Sequence, residues 1–133
     1  MMDDLIAFIT ARLDEEYASA DLLVVQGDDW HVDKSDPGTV RTEFFHVAAR
    51  CSEGELTHSE LRARHIALYG PGRAKREAAA KRAIVRRCGW SVNEPDQYPN
   101  GLVSPRAVLA RQNLSDLAAA WNDHPDYRAE WKF

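Results

Sequence analysis

Apolar positions recur at helical spacing through the first twenty residues. Leu5, Ile6, Ile9, Leu13 and Tyr17 share one side of the period, with Phe8 beside them, and Asp14, Glu15 and Glu16 lie on the outer side. Asp3 and Asp4 stand where a helix N-terminus favours negative charge. The pattern predicts a first helix over residues 3–20. Leu22 to Val25 is a short apolar run before Gly27-Asp28. It reads either as a buried strand or as the last turn of that helix.

The period then changes from helical to alternating. Asp36-Pro37-Gly38 is turn chemistry, proline presetting φ at one corner and glycine supplying positive φ at the next. A β-hairpin over residues 29–50 follows. With Pro37-Gly38 as its central turn, Trp30 opposes Phe45 and Val32 opposes Glu43. Trp30, Val32, Phe45, Val47 and Ala49 then share a face directed at the helices. Asp29, His31, Asp33, Phe44 and His46 share the outer face.

Helical spacing returns at Thr57-His58-Ser59-Glu60, a capping-box pattern with Thr57 as N-cap. Leu61, His65, Leu68 and Tyr69 form the stripe of a second helix, which ends at Gly70-Pro71-Gly72. A third helix is expected over 72–88, its inward face made of Ala74, Ala78, Ile84, Val85 and Cys88. Residues 89–103 hold Gly89, Pro95, Pro99 and Gly101 and read as an irregular connection. Ser104-Pro105 opens a fourth helix, serine as cap and proline at the first position. Leu114, Leu117, Ala118 and Trp121 form its apolar edge, and Asn122-Asp123-His124-Pro125 stops it. The tail carries Tyr127 and Trp131, aromatics expected to dock near the first or fourth helix. The fold class is therefore α+β: about four helices with one β-hairpin packed on them, in a single domain over 1–133.

Composition adds limits. An apolar content of 44% supports a folded core, and 29% charged residues support solubility. MMDDLIAF opens with acids and has no basic segment, unlike a secretory signal. No apolar run reaches the roughly 20 residues of a membrane helix. Cys51 and Cys88 form no CxxC pair and read as free thiols of a reducing, cytoplasmic compartment.

Charge is uneven along the chain. Residues 62–87 carry nine bases and one acid, Glu77, a net +8. The whole chain has 17 bases and 21 acids, net −4, so the remainder stands at −12. Arg64, Arg73, Lys75, Arg76, Lys81, Arg82, Arg86 and Arg87 are the candidate partner-binding residues. Lys75, Arg82 and Arg86 lie near one helical stripe. Such a patch attracts a polyanion, a nucleic acid or an acidic protein, while the rest repels it. The competing reading is a solvated face whose bases neutralise the acids of the first helix. Two helices joined by a glycine turn also suggest a helix-turn-helix, but the join holds a proline and no third helix immediately supports it.

Catalytic chemistry has little support. GPGRAK lacks the phosphate-loop pattern and follows a helix rather than a strand. No Ser/His/Asp or Cys/His arrangement can be assembled from sequence position, and no cofactor motif is present. Asp29, His31 and His46 are a weak alternative metal set on the outer hairpin face.

MDDLIAFITARLDEE, HIALYGPGRAKREAAAKRAIV and HPDYRAEW, with Trp30-His31-Val32 more loosely, resemble an uncharacterised family of small actinobacterial and actinophage proteins. The segment from Gly89 to Val103 departs from that pattern. The resemblance implies a small intracellular protein of unknown function and carries over no activity, cofactor or catalytic residue. The expectation is a non-enzymatic binding protein that uses the basic segment. The alternatives are a phage-type protein-interaction or inhibitor protein, favoured if Leu22 to Val25 is an exposed apolar patch, and a metal-dependent enzyme that uses the hairpin histidines His31 and His46.

Overall fold

A computed structural model describes residues 2–23, 27–51, 56–93 and 102–132, with the side chains of residues 56 and 57 left aside. Four α-helices and a three-stranded antiparallel sheet make the chain α+β and mainly helical: α1 Met2–Leu23, β1 Trp30–Val32, β2 Thr39–Thr42, β3 Val47–Arg50, α2 Leu56–Leu68, α3 Pro71–Asn93 and α4 Pro105–Ala118. Short 3-10 turns cover Ala119–Trp121 and Ala129–Trp131. Leu22 and Leu23 complete α1, so the helical alternative holds there; Val24 and Val25 lie outside the described residues. Contacts divide the chain into two units, one of Met1–Glu15 with Ala79–Phe133, the other of Glu16–Ala78.

The first unit is a helical core closed by the tail. Leu5, Phe8, Ile9 and Leu13 of α1, Val85 and Cys88 of α3, and Ala107, Ala110, Leu114 and Ala118 of α4 are buried. The serine cap forms as expected, the Ser104 hydroxyl accepting from the Arg106 N–H at 3.2 Å. The α3 helix runs five residues past the expected end at Cys88, through Gly89 and Trp90. A helical glycine costs about 1 kcal/mol, a weak signal that the surrounding packing overrides; Gly89 faces Ile6 across this core.

Docking of the tail is the strongest feature of this unit. Trp131 is 2% exposed. Its ring lies 5.0 Å from that of Phe8 and 5.7 Å from that of Tyr127, with His124 edge-on to Phe8 at 5.7 Å. The Ser115 hydroxyl donates to the Trp131 carbonyl at 2.5 Å, and Arg128 pairs with Asp4 at 2.9 Å. Two of the stretches that carry the family resemblance, the opening and the ending, thus meet around Phe8.

In the second unit, α2 packs across all three strands, which lie in the order β1-β2-β3. Val40 and Thr42 are buried, and the register pairs them with Val32 and Trp30. Trp30 and Val32 therefore lie on the packed face and His31 on the exposed one, as alternation requires. The register otherwise corrects the expectation. Trp30 opposes Thr42 rather than Phe45, and Val32 opposes Val40 rather than Glu43. Residues 40–49 break into two strands, which makes a meander in place of one hairpin. Phe45 and Val47, expected inside, are 77% and 39% exposed.

Local hydrogen bonds account for the break. Asp36-Pro37-Gly38-Thr39 does form a turn, Thr39 N–H donating to the Asp36 carbonyl at 2.9 Å, but the ladder closes farther out, Asp33 N–H to the Thr39 carbonyl. Gly38 has no positive φ; Gly27 (φ 106°) and Phe45 (φ 62°) carry it. At the second turn Phe45 N–H donates to the Thr42 carbonyl, Thr42 N–H donates to the His46 carbonyl, and the Thr42 hydroxyl accepts from Phe44 N–H. This is a three-residue hairpin loop whose left-handed position normally takes glycine. The Glu43 carboxylate anchors the loop by accepting from the N–H groups of Asp28 and Asp29.

Two stability measurements check this description. Trp131→Ala should cost about 3–5 kcal/mol in urea unfolding, as for other buried tryptophans; an unmoved midpoint would mean the tail does not dock. Phe45→Gly should stabilise by about 0.5–1 kcal/mol, because glycine relieves the left-handed strain at the cost of some chain entropy. Destabilisation would show instead that the phenyl ring packs.

Candidate partner-binding surfaces

The eight candidate bases fall four and four into the two units. In the second unit Arg73 donates from Nε to Glu77 Oε1 at 2.7 Å and lies 4.7 Å over the Tyr69 ring. Lys75 donates to Asp21 Oδ1 at 3.0 Å and stands 5.2 Å from the Tyr17 ring. Glu77 holds Arg73 above the usual arginine range, and Asp21 does the same for Lys75 among lysines. In the first unit Arg82 pairs with Asp14, and Lys81 lies 5.9 Å from the Trp121 ring. Two members of the expected stripe, Lys75 and Arg82, are thus engaged by acids of α1. The remaining four, Arg64 and Arg76 in the second unit and Arg86 and Arg87 in the first, are exposed and enter no ion pair among the described residues. Partly exposed pairs of this kind contribute about 0–1 kcal/mol each, so they mark which bases are engaged more than what holds the fold.

The apolar stripe of α2 lies opposite to its expected direction. The spacing is present, but Leu61 and Leu68 are each 57% exposed, Tyr69 is exposed, and His65 stacks on Tyr69 at 4.9 Å. The buried side is made of Ser59 and Ala63, with Ile66 and Ala67 half-buried and Gly70 beneath Trp30. Small groups face the sheet because backbone comes close to Trp30 there: a Cβ on Gly70 would stand 3.0 Å from that side chain. The expected capping role of Thr57 concerns a side chain outside those described, and the helix starts at Leu56, two residues before the His58 start that this cap implies.

The alternative metal set does not assemble. His31 on β1 opposes Arg41 on β2, and Arg41 in turn opposes Val47, the neighbour of His46. The central strand and its guanidinium therefore separate the two imidazoles by two strand spacings, roughly 10 Å. Ligands to one ion stand about 2 Å from it. Among the described residues no three His, Cys, Asp or Glu side chains converge on an ion site. His65 lies on Tyr69 in the second unit, and His124 lies against Phe8 and Arg12 in the first. Cys51 and Cys88 are free thiols.

Two open clefts of about 590 Å³ each lie in the first unit. Arg87 borders one beside Cys88, Leu109 and Ala110, and Arg86 borders the other beside Ile6 and Trp90. The alternation placed Phe44 outside but Phe45 inside; both stand exposed at the β2–β3 turn, at 62% and 77%. Among the described residues no helix is long and apolar enough to cross a membrane.

The perturbed carboxylates are structural. Arg41 donates from Nε to Asp33 at 2.6 Å, and the Ser35 hydroxyl and N–H donate to the other oxygen. These bonds, Arg41 foremost, hold the Asp33 carboxyl far below its ordinary value of 3.8. Glu43 is lowered by its own N–H and by those of Asp29 and Asp28. Both carboxylates tie loops to strands.

A family model described as a family of unknown function matches residues 2–133. No curated protein matches the chain, and no solved structure matches it.

The Asp33 arrangement makes acid stability testable. Because its folded-state value is depressed, the unfolded chain takes up the proton first, so this contribution is present at neutral pH and is lost as pH falls below about 4. Urea midpoints across that range should show Asp33→Asn less stable than wild type at pH 7, with the two curves converging in acid. Parallel curves would contradict the role given to Arg41 and Ser35.

Proposed function

Because the chain belongs to DUF6221, a family of unknown function, its role is read from its own side chains, and we propose that it is a small non-enzymatic binding protein that engages a polyanionic partner. One observation carries the reading: Arg64, Arg76, Arg86 and Arg87 are exposed and enter no ion pair among the described residues, in a chain whose net charge is −4. Fixed cations on a background of opposite sign draw an acidic partner to particular places and repel it elsewhere. Arg73, Lys75 and Arg82 serve mainly to orient their helices, since each has an acid at hand. A cytoplasmic setting and an actinobacterial or phage origin belong to the same proposal.

A second reading, a protein-interaction or inhibitor role, is favoured by apolar exposure. Leu22 is 81% exposed, and Phe44 and Phe45 stand out at a turn. The two readings converge if the polyanion is an acidic protein.

Titrations of polyglutamate, heparin and duplex DNA at rising salt test the proposal. At low salt at least one should bind, and its affinity should fall steeply as salt rises. The pairs Arg64→Glu/Arg76→Glu and Arg86→Glu/Arg87→Glu should weaken binding about tenfold or more without moving the melting temperature. Lys75→Glu should instead lower the melting temperature, by facing Asp21. If none of the three polyanions binds at low salt, the proposal fails.

A further inference from the structure

Helix α2 displays its large apolar side chains and hides its small ones. At about 100° per residue, Leu61, His65 and Leu68 fall in one narrow stripe, with Arg64 on one flank and Tyr69 and Arg62 on the other. The opposite side, Ser59 and Ala63, is in contact with the sheet. Arg73 lies over Tyr69 while its Nε is held by Glu77, so ring and guanidinium form an ordered pair at the C-terminal end of the stripe. Two leucines more than half exposed on one helix face, next to an ordered Tyr–Arg pair and rimmed by arginine, have the composition of an interface centre.

We propose that the outward stripe of α2, Leu61-Arg64-His65-Leu68-Tyr69, is a docking surface for an acidic amphipathic helix of a partner protein. The proposal rests on the polyanion reading and gives that partner a class and a place. Charge complementarity selects the occupant. Arg64 flanks the stripe and enters no ion pair among the described residues, which calls for carboxylates beside an apolar ridge. Nucleic acid fits less well, because phosphate contacts would use Arg64 but leave Leu61 and Leu68 in water. A second copy of this chain fits less well too. Antiparallel pairing of two α2 stripes sets Leu61 against Leu68 but brings Arg64 of each copy to the same midpoint, and like charges there oppose association.

The probe is a synthetic helical peptide with leucines at helical spacing and glutamates on both flanks, compared with polyglutamate of equal charge and with the same peptide carrying glutamine for glutamate. The amphipathic acidic peptide should bind about tenfold or more tighter than either. Leu61→Ser/Leu68→Ser should bring it to the level of polyglutamate while leaving polyglutamate binding and the melting temperature unchanged. Leu68→Gln alone should give part of that loss. Backbone amide shifts on adding peptide should concentrate at residues 61–69. If polyglutamate binds as tightly and the leucine variants change nothing, the docking surface is refuted while the polyanion reading stands. If the glutamine peptide binds equally well, the partner is not acidic and the proposal fails. If duplex DNA displaces the peptide and its own binding depends on Leu61 and Leu68, the occupant is nucleic acid. If the free protein sediments as a dimer that Leu61→Ser/Leu68→Ser dissociates, the occupant is a second copy. Either result overturns the proposal. If neither peptide nor any polyanion binds, both this inference and the reading beneath it fall.

Discussion

The close packing of small α2 side chains on the meander sheet is the constraint from which the surface of the second unit follows. Ser59 and Ala63 are buried against strands whose inward residues are Val40 and Thr42, and Gly70 lies under Trp30, where a Cβ would press on that side chain at 3.0 Å. Interiors are packed at crystal-like density, so a leucine cannot share that space. The large members of α2, Leu61, Leu68 and Tyr69, are left for the other side. A helix buried on its small face and exposed on its large one makes poor use of apolar burial in an isolated domain. That mismatch is what a partner covering the outward face would relieve.

The first unit obeys the ordinary rule. Its large apolar residues are inside, and the ring of Phe8 gathers His124, Tyr127 and Trp131 into one aromatic cluster. Arg12 lies beside this cluster, 5.4 Å over Phe8 and against the His124 ring, with Glu15 as its acid. Polar groups here serve the fold, as Asp33 and Glu43 do at the loops of the sheet. On the proposed reading, binding is left to the surface arginines that have no such duty.

Much of the architecture was legible because its signals are local. The spacing of Leu5, Ile9 and Leu13, the Ser104-Pro105 start and the aromatics of the tail each named an element that formed. What was lost depends on tertiary choice. Spacing finds the stripe of α2 but not the direction in which it points, because Ser59, Ala63 and Ala67 repeat with the same period. The break at Glu43-Phe44-Phe45 carries no glycine, proline or asparagine, so residues 40–49 read as one strand; the left-handed Phe45 and the Glu43 anchor exist only once the fold has formed. Of the candidate bases, Lys75 meets an acid 54 residues away and Arg82 one 68 residues away. Such partners leave no mark in a count of charges, and the count alone could not separate engaged bases from Arg64, Arg76, Arg86 and Arg87.

One set of urea midpoints on the isolated protein tests the inverted packing of α2. Leu61→Ser and Leu68→Ser should each leave the midpoint within error of wild type, while Ala63→Leu should destabilise by about 1–3 kcal/mol through overpacking against the sheet. A loss of about 2–5 kcal/mol at Leu68, as for a buried leucine, with Ala63→Leu tolerated, would place the leucines inside against the sheet.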